Sequence, residues 1–140
     1  MKQRKYLPTL AFLIDRLSIV TLKSIKIPEH KEEYEKEANN IMEDLKTLCE
    51  KQKINDFGLL IRAVQANAII NEMIWSNESG ARSGKKQDLK KLKLTHSMNR
   101  IRNHSMNVIS VIFGERQDLK LDYMDSEVTK EFGYDFEKIP

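Results

Sequence analysis

The segment FGLLIRAVQANAIINEMIWSNE, residues 57–78, decides the fold of this chain. It is the most apolar long stretch of the sequence, it contains no proline, and it is rich in good helix formers. A helix that is apolar on nearly all sides is normally covered on several of them. We therefore expect this helix to lie at the centre of the molecule.

Polar side chains interrupt the best apolar stripe of this helix. Helical spacing places on one face, or at its edge, Leu60, Val64, Asn67, Asn71, Trp75 and Glu78. A buried polar group that lacks a partner costs about 1–3 kcal/mol. The pattern therefore predicts a site on this face but does not name a reaction.

Three more amphipathic helices are predicted, over about residues 8–26, 29–51 and 87–113. Proline suits the first turn of a helix, so we expect Pro8 to open the first one and Pro28 to precede the second. Gly80 and Gly84 predict that the third helix ends within the segment 79–84. The predicted core stripes are Leu10, Ile14, Leu17, Thr21 and Ile25 in the first helix, Tyr34, Ala38, Ile41, Leu45 and Leu48 in the second, and Leu94, Met98, Ile101, Ser105, Val108 and Ile112 in the fourth.

Four long helices with short connections predict an all-α fold, an antiparallel four-helix bundle. A chain of 140 residues suits a single domain, residues 1–140, with a core over about 8–113. A partly irregular C-terminal tail over about 115–140 is predicted to lie as extended chain over the bundle. Because the first and third helices show apolar residues on two faces, we expect a homodimer.

The composition argues against a membrane-spanning segment, a signal peptide, a disulfide and a zinc site. The longest apolar run is far shorter than the ~20 residues that span a bilayer, and Asp15 and Arg16 interrupt the N-terminal apolar stretch, which argues against a signal peptide. Cys49 is the only cysteine, so no intrachain disulfide can form, which suits a cytoplasmic location. A single thiol that is expected to be buried does not predict nucleophilic catalysis. Three histidines without the spacing of metal ligands do not predict a zinc site.

Basic residues concentrate between Ser79 and Arg102, where eight Lys or Arg side chains stand against one acid, Asp88. The loop Gly80–Lys86 has glycines one residue too close for a phosphate-binding loop, and no Ser or Thr follows its lysine. We expect no exposed aromatic side chain in this basic segment that could stack on nucleic-acid bases. The basic segment is therefore interpreted as a solvated connector, and nucleic acid is an unlikely partner.

A polar set on the third and fourth helices is the leading candidate site. Antiparallel packing brings these side chains together, and asparagine and arginine suit a polar anionic small molecule such as a sugar phosphate or nucleotide. The predicted ligand-binding residues are Asn67, Asn71, Trp75, Glu78, Arg82, Asn99 and Arg102, with His96 and Asn103 as weaker candidates. The alternative interpretation is that Glu78 and Arg102 form an ion pair between helices, in a homo-oligomeric interaction module without catalysis.

A second candidate site is a row of acids on the second helix. Carboxylates four residues apart on a helix reach the same region of space, as a hard cation requires. Glu33, Glu37 and Asp44 are therefore predicted as ligands of a Mg²⁺ ion, and the alternative is a solvated acidic face. On the same helix, Glu32-x-x-Glu35 has the spacing of the first acidic pair of the all-α nucleotide pyrophosphohydrolases. The acidic helix thus resembles that family, and the resemblance implies Mg²⁺-dependent hydrolysis. The second acidic pair of that family is not matched, because Trp75 follows three residues after Glu72.

A broader resemblance covers residues 8 to 110. The segment Leu13-Ile-Asp-Arg-Leu-Ser-Ile-Val-Thr-Leu-Lys23, followed by Asn71 through Trp75 to Glu78 and Arg82 and then by Thr95 to Asn107, resembles a family of small uncharacterised helical proteins of bacteria and phages. That resemblance implies a helical fold and a site, but no particular reaction.

Overall fold

The computed structural model describes residues 8–83 and 89–115, with side chains over residues 8–79 and 93–115. The described part is all-α, as predicted. Its helices are α1 (Leu10–Lys26), α2 (Lys31–Cys49), α3 (Phe57–Ser83) and α4 (Leu89–Ile112), and a short 3-10 turn, Pro28–His30, precedes α2.

Local chemistry explains where the helices begin. Thr9 is the N-cap of α1, since its hydroxyl accepts the backbone N–H of Phe12 at 3.1 Å. Pro8 therefore lies just outside the helix and does not open it, which corrects the expected start. Asp56 caps α3 in the same way by accepting the N–H of Leu59, as predicted.

The predicted end of α3 is confirmed, and the predicted start of α2 is shifted. The third helix ends at Ser83, inside the segment 79–84 that was expected to end it, and it includes Gly80, since one glycine inside a helix costs only about 1 kcal/mol. Tight 3-10 geometry occupies Pro28–His30, where the first turn of the second helix was expected, so α2 begins at Lys31.

The helices form two antiparallel pairs, α1 with α2 and α3 with α4, and α1 also packs against both α3 and α4. Among the described residues, no Cα atom of α2 lies within 8 Å of one in α3 or α4. The bundle is thus organised around α1, with α2 on one side of it and the α3–α4 pair on the other.

Three apolar clusters hold this arrangement. One end of the bundle packs α1, α3 and α4 around Leu10, Ala63 and Ile109, and the other end joins Ile70 of α3 to Met98 of α4. The third cluster joins α1 to α2 through Leu13, Val20, Ala38 and Ile41. The stripe predicted for α2 is confirmed, since its residues are the buried and partly buried apolar residues of this helix apart from Cys49. The stripe predicted for α4 is confirmed in part: its residues are buried or partly buried, but it omits the fully buried Ile109, because α4 packs against α1 as well as α3.

The stripe predicted for α1 is wrong in its second half. Ile25 is 72% exposed and Thr21 is exposed, while Val20 and Ser24 are buried instead. The reason is that α1 lies between α2 and the α3–α4 pair, so two of its sides are covered and the side between them is open. The second half of the predicted stripe, Thr21 and Ile25, lies on this open side.

No helix in the described ranges 8–83 and 89–115 is long and apolar enough to cross a membrane.

Candidate functional site

The carboxylate of Asp15 is buried where α1, α3 and α4 meet. Its side chain is 3% exposed. It is the only acid in α1, and it shares a helix face with the small residues Ala11 and Ser18. Small neighbours let the other two helices approach α1 closely at this level.

Four hydrogen bonds converge on the two oxygens of this carboxylate. Oδ1 accepts Nδ2 of Asn67 at 3.0 Å and Nδ2 of Asn71 at 3.0 Å, both from α3. Arg102 of α4 donates its Nε to Oδ1 at 2.8 Å and its Nη2 to Oδ2. The carboxylate therefore has a bidentate arginine on one side and two amides on the other, which is the geometry of a strong charge-assisted pair.

Further hydrogen bonds close the network around Asp15. The Nδ2 of Asn71 also lies 3.3 Å from the Ser18 hydroxyl and 3.3 Å from Oδ1 of Asn67. Ser105 accepts from Nδ2 of Asn67 at 3.3 Å and donates its own proton to the carbonyl of Arg102 at 2.6 Å. We call these six residues the Asp15 network: Asp15, Ser18, Asn67, Asn71, Arg102 and Ser105.

The network keeps both charges in place. Burial raises the pKa of the Asp15 carboxyl, but the hydrogen bonds from Arg102 and Asn71, the Arg102 charge and the Asn67 hydrogen bond together lower it below its ordinary value of 3.8. The hydrogen bond to Asp15 raises the pKa of Arg102; burial opposes this rise, and the charges of Asp15 and Glu78 add to it. An ionised, hydrogen-bonded pair therefore lies where the three helices meet.

The structure brings together three of the predicted ligand-binding residues, Asn67, Asn71 and Arg102, but it places them around a carboxylate of the chain itself. Glu78 lies close enough for its charge to act on Arg102. Trp75 and Asn99 are half-buried and have no described hydrogen bond to the Asp15 network. The side chain of Arg82 lies outside the described residues.

The two weaker candidates, His96 and Asn103, lie outside the buried part of the site. His96 is exposed, and Asn103 is half-buried. Beyond the network, Asn77 of α3 hydrogen-bonds to Thr95 of α4. This second contact confirms the predicted antiparallel register of the two helices.

The predicted Mg²⁺ ligands are not assembled into a site. Glu37 accepts Nε and Nη2 of Arg16 at 3.0 and 2.8 Å, and Glu33 is 80% exposed beside His30. Within the described side chains, no group of three or more His, Cys, Asp or Glu residues is placed to hold a metal ion. The described side chains of Glu33, Glu37 and Asp44 thus do not form the three-carboxylate cluster that was expected.

Cys49 does not provide a nucleophile either. It packs beside the apolar cluster around Leu10, Ala63 and Ile109. Burial and the charge of Glu115 raise the pKa of its thiol. A raised pKa favours the unreactive thiol over the thiolate.

An open apolar groove of about 400 Å³ runs along α1 and α3, next to the Asp15 network. Its lining is mostly aliphatic: Ile14, Leu17, Ser18, Thr21, Leu22, Ile25, Val64 and Ala68. The side chain of Ser18 belongs both to the groove and to the network, so the two features share a wall. We call this feature the α1–α3 groove.

Sequence reasoning missed Asp15 and the groove. One signal for Asp15 was available, because a lone acid on a helix face with Ala11 and Ser18 lies in a position where small residues normally mark close packing. Nothing local pointed to its partner, since Arg102 is 87 residues away.

Comparison with known proteins found no matching family model, no matching curated protein and no matching solved structure.

Proposed function

We propose that this chain is a homo-oligomeric interaction module without catalysis, in which the Asp15 network fixes the positions of three helices. The observation that carries the proposal is that the polar set is satisfied within the chain. Asn67, Asn71 and Arg102 direct their donors at Asp15, and no buried side-chain nitrogen or oxygen in the described part lacks a partner.

A site that awaits an anion would direct its donors at open space. Here the internal carboxylate takes the place that a ligand carboxylate or phosphate would occupy. A buried ion pair with amide partners contributes little net stability compared with apolar packing, but it penalises any arrangement that separates its members. This supports a role in setting the register of α1, α3 and α4.

The surface for self-association is the outer side of α3. Phe57, Ile61 and Ile69 are 61%, 41% and 57% exposed there. If two copies pair their α3 helices antiparallel about Gln65, each Ile61 lies opposite Ile69 of the second copy. Large exposed apolar residues on one helix side are typical of protein–protein contacts.

The test is the mass of the protein in solution, measured by sedimentation equilibrium. We expect a dimer for the unmodified chain and a monomer for Ile61→Glu with Ile69→Glu. Met42→Glu is the matched control, because Met42 is 47% exposed on α2, away from α3. A monomeric unmodified chain, or a double variant that stays dimeric, would show that the proposal is wrong.

A second candidate function is the binding of a polar anionic small molecule at the outer edge of Arg102. Its side chain is 28% exposed, although Asp15 behind it is buried. A guanidinium has five N–H donors, and two of them bind Asp15. This partial exposure is the observation that favours a sugar phosphate or nucleotide there.

A thermal-shift screen of sugar phosphates and nucleotides, with and without Mg²⁺, tests the second candidate. We expect a ligand of this site to raise the melting temperature, and Asn99→Ala to reduce that rise without a change in the melting temperature of the free protein. No shift with any compound would leave the interaction module as the function of the chain.

A further inference from the structure

We infer that the α1–α3 groove binds a neutral, largely aliphatic small molecule with one oxygen acceptor, such as a ketone or ester carbonyl, and that Ser18 donates a hydrogen bond to this oxygen. The site goes beyond the proposed homo-oligomer and does not depend on it. The residues proposed for self-association, Phe57, Ile61 and Ile69, are not among those that line the groove. Three features support the site: the size of the groove, its uncharged aliphatic lining and the hydroxyl of Ser18.

The size of the groove suits a small molecule. Its volume of about 400 Å³ lies within the roughly 300–1,000 Å³ that is typical of small-molecule sites. On α1 the lining extends from Ile14 to Ile25, which is about 16 Å at a rise of about 1.5 Å per residue. A helix of that length and about 10 Å in diameter fills roughly 1,300 Å³. A docked helix would therefore lie mostly outside the groove, whereas a small molecule fits within it.

The wall that the groove shares with the Asp15 network is already fixed. Nδ2 of Asn71 lies 3.3 Å from the Ser18 hydroxyl and 3.0 Å from Oδ1 of Asp15. These bonds hold α1 and α3 together along the groove, so a ligand does not have to separate the two helices. A site that is formed before the ligand arrives binds it with a smaller loss of conformational freedom.

The lining favours an aliphatic ligand. Leu17 and Leu22 of α1 and Val64 of α3 are only half-buried, and Ile25 is 72% exposed. Removing apolar surface from water is favourable roughly in proportion to the area covered. An alkyl chain laid along these side chains therefore supplies the contact that the rest of the described chain does not.

Charge complementarity selects a neutral ligand. None of the eight described residues that line the groove is charged. Lys26, which follows Ile25, lies 3.0 Å from Glu72, and Lys23 lies over the ring of Tyr34, 6.0 Å from its centroid. An ionised ligand would lose water without gaining a counter-charge from the lining, which is costly.

The start of α1, at the opposite end of the groove, does not attract an anion either. The N–H groups at a helix start are an anion site when they lack partners. Here Gly114, with a φ of 66°, turns the chain after α4, and Glu115 accepts the N–H of Leu10 at 2.7 Å and that of Ala11 at 3.2 Å. The carboxylate of the chain itself thus occupies this position.

The hydroxyl of Ser18 selects an oxygen acceptor. Its oxygen accepts from Nδ2 of Asn71, and within the described part of the chain no hydrogen bond uses its proton. A hydroxyl that already accepts is a stronger donor, because hydrogen bonds in series polarise one another. A carbonyl oxygen only accepts, so it complements this proton.

Titration of the ¹⁵N-labelled full chain with 2-decanone tests the inference. From the carbonyl, its alkyl arm spans about 10 Å at C–C bonds of about 1.5 Å, and Ser18 lies about 10 Å from Ile25 along α1. We expect the amide signals of Ser18 and Val64 to shift saturably. Decanoate, the matched anion, should bind more weakly by about tenfold or more. No saturable shift with 2-decanone, or equal binding of decanoate, would overturn the inference.

A serine variant tests the assigned donor. Ser18→Ala should weaken the binding of 2-decanone about two- to tenfold, the effect of one hydrogen bond. The matched control is Ser76→Ala, because Ser76 is exposed on α3, donates to Glu72 and does not line the groove. Unchanged affinity in Ser18→Ala, or an equal loss in Ser76→Ala, would show that the assignment of Ser18 is wrong.

A bulky side chain tests the location. Ala68 lines the groove and is exposed, so Ala68→Trp should fill the groove and abolish binding while the chain stays folded. Asn39→Trp, at an exposed position on α2, should bind 2-decanone as the unmodified chain does. Binding that survives Ala68→Trp would place the probe elsewhere and overturn the inference.

Dilution of the chain without any probe separates a second copy from a small molecule as the occupant. The amide signals of Leu17 and Thr21, which line the groove, should stay in place as the protein concentration falls. Shifts of these signals on dilution would mean that a second copy covers the groove, and they would overturn the inference. The mass of the unmodified chain in solution decides the proposed function separately, since it depends on Ile61 and Ile69.

Discussion

The carboxylate of Asp15 on α1 and the guanidinium of Arg102 on α4 form a bidentate ion pair in the interior, 87 residues apart in sequence. Asn67 and Asn71 of α3 complete the shell of donors around Asp15. Because each of the three helices supplies a member, the pair ties the arrangement of α1, α3 and α4 to one set of side chains.

Asp15→Ala should lower the free energy of unfolding by up to about 3–5 kcal/mol, because it leaves the partly buried charge of Arg102 without its counter-ion. The matched control is Glu37→Ala, which breaks an ion pair with Arg16 whose two side chains are 38% and 39% exposed. An exposed pair of this kind contributes about 0–1 kcal/mol. Urea denaturation of both variants measures the difference, and equal losses would contradict the buried role of Asp15.

A double-mutant cycle should show strong coupling between Asp15 and Arg102. The double variant Asp15→Ala, Arg102→Ala should cost less than the sum of the two single variants by about 0.5–3 kcal/mol, since the second substitution removes the charge that the first one leaves unpaired. Denaturation curves of the four proteins provide the coupling. Additive losses would indicate that the two side chains act independently.

The sequence predicted the parts of the fold that repeat at the helical period. The stripe of α2 is confirmed because this helix buries one side, against α1, whereas the stripe of α4 omits the fully buried Ile109 because α4 packs against both α3 and α1. The stripe of α1 is wrong because this helix is covered on two sides, so Val20 is buried and Ile25 is not. Periodicity finds an apolar face, but the positions of the neighbouring helices decide which face is covered.

The candidate site was predicted in part for a similar reason. Asn67, Asn71 and Arg102 were identified because polar residues interrupted apolar stripes on helices that pair antiparallel. Their common partner Asp15 was missed, since its position against α3 and α4 depends on how α1 packs. The polar residues were therefore interpreted as a pocket for an external anion, whereas the chain supplies a carboxylate itself.

Stability should fall in acid because of Asp15. Its pKa is lower in the folded chain than its ordinary value of 3.8. Because the pKa is lower in the folded chain, the unfolded chain takes up the proton first as the pH falls. The stabilisation is therefore complete well above pH 3.8 and is lost as the pH falls from there through the folded pKa. Urea denaturation between pH 6 and pH 2, about two units on either side of the ordinary pKa, should show this loss, and Asp15→Ala should lack this component of it.

Removing either amide partner should raise the pKa of Asp15, because each hydrogen bond favours the ionised form. Asn71→Ala should raise it more than Asn67→Ala does, since the Asn71 hydrogen bond has the larger effect on this carboxyl. Carboxyl carbon chemical shifts followed through a pH titration provide the value. Asn39→Ala is the control, because Asn39 is exposed on α2, and an equal shift in that variant would argue against a role for the amides.

Two glycines should respond to alanine with opposite signs. Gly114 has a left-handed backbone at φ 66°, a conformation in which a Cβ costs about 1–2 kcal/mol. Gly114→Ala should therefore lower the free energy of unfolding by that amount. An added Cβ would meet no atom within 4 Å, so the loss comes from the backbone and not from a clash. Gly58 lies in the first turn of α3, and its nearest neighbour to an added Cβ, Oδ1 of Asp56, is 3.9 Å away. Gly58→Ala should therefore raise the free energy of unfolding by about 0.4–1 kcal/mol, because it restricts the unfolded chain. Thermal and urea denaturation of both variants would measure the two signs, and a neutral Gly114→Ala would contradict the turn that leads Glu115 to the start of α1.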